Sequence, residues 1–374
     1  MIICEPICSN KEHIPINVAL IEELTLYHSH QAITFLCTPE YWEELKKNLS
    51  TQAQAKLQHH SIKVLCRKDN LIGWRDSFLL IRQINKLRKK DHELLIFLSS
   101  TSGIIGLSRV FLSKFNVKCF IHLVLARIDN VLPRNPFSAW FTIEKTLIRL
   151  GKKSCEIVVL ENHIVDNLKS RFSHISSFIK CVPHPIALNI PPQKHLVLKD
   201  EGPTICFPGS FSLQKGADLF YNLARYNHQN ENRYNMVVAG KMTTDLTIDF
   251  KQSIFSIPPA SSFISRKEFS SILNLSHFVF LGQDQKIYKW VASGVYLDAL
   301  SYKKPIIALR NAFFESEFSK YGEFGFLFES IEDLIHTLNT KLTPALYNKF
   351  ITNITKAKKG REKSFNNSLT KLLK

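Results

Sequence analysis

The sequence predicts an α/β chain of two Rossmann-like lobes with a central interdomain cleft, and three observations lead there. Short β-branched and aromatic runs alternate with amphipathic stretches, the pattern of βαβ units around parallel sheets. The runs are continuously apolar, as strands buried on both faces of a doubly wound sheet are. The alternation breaks once, over Cys181 to Pro203, where five prolines and no sustained period read as a linker. A length of 374 residues suits two domains.

In chain order, strands are expected over 1–5, 32–37, 62–66, 93–99, 117–125 and 155–160 in the first half. In the second half they are expected over 204–209, 236–240, 277–282, 304–309 and 325–328. Helical patterns fall over 15–29, 39–49, 74–89 and 103–115; Leu79, Leu80, Gln83, Ile84 and Leu87 keep the i, i+3, i+4 spacing. His59-His60 reads as loop and His184 as hinge. The expected domains are 1–183, an N-terminal Rossmann-like lobe; 184–202, the linker; 203–345, a C-terminal Rossmann-like lobe; and 346–374, a C-terminal helix.

Composition narrows the function classes. Hydrophobic residues make up 45% and charged residues 22%, a globular balance. The eight cysteines sit mostly in apolar strand-like runs, with no CxxC pair and no zinc-ligand spacing, so neither metal nor disulfide framework is expected. The N-terminus shows no secretory leader and no apolar run is long enough to span a bilayer, so a cytoplasmic chain is expected. A formal charge of +17 admits nucleic acid, an anionic membrane surface or anionic small molecules. No helix-turn-helix, zinc-finger or RNP-like pattern supports nucleic acid.

Two segments carry chemistry. In Phe207 to Ala224 a strand runs through a Gly-containing loop into a helix beginning near Lys215-Gly216. Backbone N–H groups and a helix dipole there suit a diphosphate, with Lys215 as a flexible charge. In Lys289 to Asn311, Ser293-Gly294 open a second helix, and Asp298 lies about a turn further in, where a carboxylate can accept ribose hydroxyls.

Together these segments resemble the C-terminal lobe of GT-B-fold glycosyltransferases of the large group-1, retaining type. Gly209, Lys215 and Gly216 match that family's G-R-L-x-x-x-K-G motif, and Leu297 to Ile307 match the end of its E-x7-E…L-E-A-L segment. Phe263 to Gly282 resembles the stretch that sets the nucleoside base beside residues 263–266. There are departures: Ser210 stands where the family has arginine, with Arg266 or Lys289 as substitutes, and Trp290 stands where it has the first glutamate. The resemblance implies a nucleoside-diphosphate sugar held by Gly209, Ser210, Lys215, Gly216, Arg266, Ser293, Gly294 and Asp298. It implies no cofactor or metal and a saccharide or lipid-linked saccharide acceptor.

In the first half, chemistry is expected at the carboxyl ends of strands: residues Glu5 to His13 and Asn17, the serine-rich turn Ser99 to Gly103, and His122 ahead of Arg127 and Asp129. His122 and His13 are the candidates for taking a proton from an acceptor hydroxyl. The basic C-terminal segment, with Phe350, Ile351 and Ile354 on one face, either rests on anionic lipid at the inner face of the cytoplasmic membrane or packs back across the lobes. The rival readings are a nucleic-acid-binding protein, a sugar-nucleotide epimerase and an inactive scaffold of the same fold.

Overall fold

The structure, a computed structural model, describes residues 1–10, 12–28, 32–125, 128, 139–150, 155–186, 196–198, 202–230, 233–243, 251–283 and 288–374. Arg127, Asp129 and most of the expected linker lie outside these. The chain forms two compact units: Met1–Leu188 with Lys289–Ala292 and Ser364–Lys374, and Asn189–Tyr288 with Ser293–Lys363.

The first unit holds a seven-stranded parallel sheet in the order β3-β2-β1-β4-β5-β6-β7. Its strands are β1 (Ile2–Cys4), β2 (Ile33–Cys37), β3 (Leu57–Ser61), β4 (Glu93–Phe97), β5 (Phe115–Phe120), β6 (Glu156–Val159) and β7 (Ile179–Cys181). The helices are α1 (Ile14–Tyr27), α2 (Pro39–Lys46), α3 (Thr51–Lys56), α4 (Leu71–Leu87), α5 (Ser102–Phe111), α6 (Ile143–Arg149) and α7 (Asn162–Arg171). Sequence chemistry sets their starts: Thr38 caps α2 by accepting from the Tyr41 amide, with proline at the first helical position. The sheet has an apolar cluster on each face, one including Ile2, Leu95 and Ile157, the other Ile3, Ile96 and Val158. Neighbours in sequence thus point to opposite faces, and the strands are apolar without a break because both faces are covered.

Two expectations fail here. Residues 62–66 lie beyond a strand, and His59 and His60 lie within one, β3. β3 is an edge strand whose residues are mostly exposed, so polar side chains are tolerated and the apolar signal is weak. His59 faces Phe35 across the ladder and stacks on Trp42 with centroids 5.2 Å apart. His122 likewise follows β5, in a turn, rather than sitting inside it.

The second unit has a five-stranded parallel sheet, β12-β11-β10-β8-β9. The strands are β8 (Thr204–Pro208), β9 (Asn235–Ala239), β10 (Phe278–Leu281), β11 (Ile306–Leu309) and β12 (Gly325–Phe328). The helices are α8 (Ala217–Gln229), α9 (Arg266–Leu275), α10 (Gly294–Ser301), α11 (Ala312–Tyr321), α12 (Ile331–Lys341) and α13 (Pro344–Leu373). A core of phenylalanines, among them Phe207, Phe211, Phe220, Phe278 and Phe280, fills one face. Early in α13, Tyr347 and Phe350 are buried in this core; late in it, Phe365, Leu369 and Leu372 are buried in the first unit's. On the apolar face of the C-terminal segment Phe350 and Ile354 are buried and Ile351 is partly so. Among the described residues no helix is long and apolar enough to cross a membrane.

Candidate functional site

Open parallel sheets bind ligands at the carboxyl ends of strands, where the strand order reverses. In the second unit that point lies between β8 and β10. Gly209 follows β8 with φ of 81°, a left-handed conformation suited to glycine. A methyl group there would lie 3.0 Å from Lys215 Nζ and 3.5 Å from Val295 Cγ1, so the lysine's charge and the start of α10 both come against bare Gly209 backbone. The neighbouring turns are as close: a Cβ on Gly216 would lie 2.2 Å from the Gly282 carbonyl oxygen, and one on Gly240 1.7 Å from that of Gly209.

The amides divide differently from the sequence reading. The Gly209 amide donates to Ala239 O at 2.9 Å, and those of Lys215, Gly216 and Ala217 donate to Ser212 or Leu213 carbonyls. Those four amides are therefore engaged, three of them through the 3-10 turn over Leu213–Lys215 that precedes α8, and Lys215 supplies an ammonium group to the loop. Among the described residues, amides without an acceptor stand at the start of α10. Ser293 caps it by accepting from the Tyr296 amide, and Gln283 Nε2 donates to the same hydroxyl at 2.7 Å. Gly294 and Val295, the first two helical residues, have no intrahelical acceptor, and nothing stands within 4 Å of a Cβ on Gly294.

Asp298, one turn into α10, accepts from Arg266 Nη2 at 2.9 Å. Burial pushes its carboxyl up, and Arg266 and then Lys215 oppose that rise. Burial pushes the Lys215 ammonium down, with Asp298 opposing. The site thus clusters Gly209, Lys215, Gly216, Arg266, Gly294 and Asp298; Ser293 braces it as a cap, and Ser210 directly follows Gly209. One Asp298 oxygen is already engaged, which leaves less of the carboxylate for a sugar hydroxyl than the spacing implied. Lys241 is a residue the sequence reading missed. Its ammonium lies 4.2 Å from the centroid of Phe263, whose ring is 80% exposed. The signal was present, a Gly-Lys pair directly after β9.

Trp290, at the position of the resembled family's first glutamate, is buried in the first unit's core, and Lys289 belongs to that unit.

In the first unit the order reverses between β1 and β4. Glu5 follows β1, is fully buried, and accepts from the Ile7 and Cys8 amides at 2.9 and 3.0 Å, from Asn17 Nδ2 at 2.8 Å and from Ser99 Oγ beyond β4. His13, in a left-handed conformation at the start of α1, stands edge-on to His122 with centroids 5.6 Å apart. The two candidate histidines, remote in sequence, are neighbours. Among the described residues neither ring nitrogen of His122 has a hydrogen-bond partner, and burial, then His13 and His184, hold its pKa well below the ordinary value. A neutral imidazole nitrogen can accept a proton. Ser100 Oγ, in the adjacent serine-rich turn, is buried and among the described residues has no hydrogen-bond partner. Among the described residues no group of three His, Cys, Asp or Glu side chains is poised for a metal ion.

Solved structures share this architecture. The chain has the GT-B fold. The Anabaena protein HepE, crystallised with UDP and glucose, matches at a TM-score of 0.62 and 10% identity over 100% of this chain and 98% of that one. A glycosyltransferase from Rickettsia africae matches at 0.63 and 12%, over 100% and 98%. The catalytic domain of starch synthase IV from Arabidopsis thaliana, bound to ADP and acarbose, matches at 0.65 and 10%, over 99% of each. No protein-family model and no curated protein matches the sequence.

Proposed function

We propose that the chain is a glycosyltransferase moving a sugar from a nucleoside-diphosphate sugar to a saccharide or lipid-linked saccharide acceptor. One observation carries the reading: the Lys215 ammonium and the first turn of α10 meet over the bare backbone of Gly209 at the sheet's reversal point. As the bond between the sugar's anomeric carbon and the diphosphate breaks, its electron pair goes to the phosphate oxygen and the leaving group gains one negative charge. Lys215 and the Gly294 and Val295 amides stabilise that charge electrostatically, without a divalent ion. Arg266 and Asp298 flank the nucleoside, and the exposed ring of Phe263 gives its base a stacking face. In the first unit His122 takes the proton of the acceptor hydroxyl, with His13 beside it.

The reading extends to cell-surface polysaccharide synthesis by a group-1, retaining enzyme in the cytoplasm, with exposed lysines of α13 as its peripheral contact to anionic lipid. The nearby solved structures holding UDP and glucose, or ADP and acarbose, support the choice of ligand class. The test is a thermal-shift screen with UDP, GDP and ADP and their sugars, followed by donor consumption with and without saccharide acceptor. Protection by one diphosphate and acceptor-dependent consumption support transfer. Protection with acceptor-independent conversion of the donor points to an epimerase, and no protection by any diphosphate overturns the proposal.

A further inference from the structure

On the outer side of the first unit, α4, α5 and α6 enclose a cavity of about 410 Å³ lined by Trp74, Gly106, Arg109, Val110, Thr146, Arg149 and Leu150. Its polar groups are cationic or hydroxylic. Arg109 is exposed, and among the described residues neither it nor Arg149 has a carboxylate partner. The nearby carboxylates are engaged elsewhere: Glu144 pairs with Arg171 at 2.7 Å, Asp76 with Arg75 at 3.3 Å, and Asp69 accepts from Ser102. Arg149 is held in place rather than free to swing, since its Nε donates to Lys145 O at 2.9 Å and its guanidinium lies 4.0 Å from the centroid of Trp140.

Thr146 supplies the second, independent observation. It is 2% exposed, and among the described residues its Oγ has no hydrogen-bond partner. A buried hydroxyl without a partner is unfavourable in an empty protein and becomes favourable when a ligand oxygen accepts from it. Two arginines without counter-ions beside an unsatisfied hydroxyl match an anion with several acceptor oxygens. The rim is apolar: Val110 is 66% exposed and Trp140 58%.

We propose that this cavity binds the phosphate group of an amphiphilic or sugar-bearing ligand, with Arg109 and Arg149 pairing to its oxygens, Thr146 donating to one of them, and Val110 and Trp140 against its apolar part. The site is separate from the Gly209–Lys215 cluster and stands or falls without it.

The test is a titration of Lys215→Ala protein with inorganic phosphate, followed by indole emission, because Trp74 lines the cavity and Trp140 lies under Arg149. The Lys215→Ala background removes the other cationic candidate. Saturable binding is expected, weakened at least fivefold by adding Arg109→Ala and at least threefold by adding Thr146→Val. Thr146→Val separates the roles, since a merely structural threonine without a partner gives an unchanged or more stable fold and unchanged phosphate affinity. No saturable binding in the Lys215→Ala protein, or equal affinity in all three proteins, overturns the proposal. A second arm assigns the source. Co-sedimentation with phosphatidylglycerol vesicles that Arg109→Ala abolishes supports a lipid headgroup, and retained phosphate binding without co-sedimentation supports a soluble phosphate compound.

Discussion

Gly209→Ala tests the geometry of the second unit with little risk to folding. The new methyl group lies 3.0 Å from Lys215 Nζ, the far end of a flexible chain that can move aside. The main cost is then the left-handed backbone at φ of 81°, about 1–2 kcal/mol for an L-residue. Reduced freedom of the unfolded chain returns about 0.4–1 kcal/mol, leaving a net loss near 1 kcal/mol. Gly240→Ala is the contrast: its methyl group would lie 1.7 Å from a backbone oxygen that cannot swing away, so about 3 kcal/mol or more is expected. Urea denaturation at 25 °C, with and without the diphosphate at about 100 times its Kd, reads both quantities. Wild type should gain about 2.7 kcal/mol from ligand. Gly209→Ala should unfold near wild type without ligand and lose most of that increment, because its methyl displaces the ammonium. A full ligand increment in Gly209→Ala, or equal stability of the two variants, would refute the reasoning.

Three further predictions follow from burial. Lys304 is buried with its ammonium donating to Asn274 O at 3.1 Å, and burial pushes it from 10.5 down to about 8. The unfolded chain binds more protons than the folded one between those values, so this group's penalty, roughly 3 kcal/mol below pH 8, is relieved as pH rises toward 10.5. Lys304→Met should therefore be more stable than wild type at pH 7, with the gap closing by pH 10.5 in paired urea titrations; a pH-independent gap contradicts this. His122→Ala should lower transfer about 10²–10⁴-fold and leave diphosphate protection intact. With its pKa held well below 6.5, His122 should cause no loss of wild-type rate between pH 8 and 6.5. Phe365→Ala, in the first unit's core, should cost about 3–5 kcal/mol by urea denaturation, and a cost under 1 kcal/mol would mean that α13 does not anchor there.

Much of the sheet architecture was legible because buried parallel strands write themselves as apolar runs. GFLF at Gly325–Phe328 coincides with β12, and most other core strands differ from expectation by a residue or a few at their ends. β3 was not legible: at an exposed edge LQHHS needs no apolar character, while the more apolar IKVLC is not a strand. The left-handed turns at Gly209 and Gly216 and the cap at Ser293 were legible as local structure because such positions restrict residue type. The fate of the amides was not, since whether an N–H faces a ligand or a carbonyl depends on a 3-10 turn that any of several sequences adopt. The approach of His13 to His122 depends on two strand ends meeting across the sheet, which no local pattern encodes. Trp290 shows a related limit, since its burial in the first unit's core is set by tertiary packing that no local pattern encodes.

The decisive quantity is the heat of binding of UDP, GDP and ADP to the wild-type and Lys215→Ala proteins, each checked for an unchanged circular dichroism spectrum. At least one diphosphate should bind the wild-type chain saturably, and at least tenfold more weakly after the lysine is removed. Equal affinity in the two proteins, or no binding to either, would contradict a pyrophosphate seated where the ammonium meets the opening turn of α10.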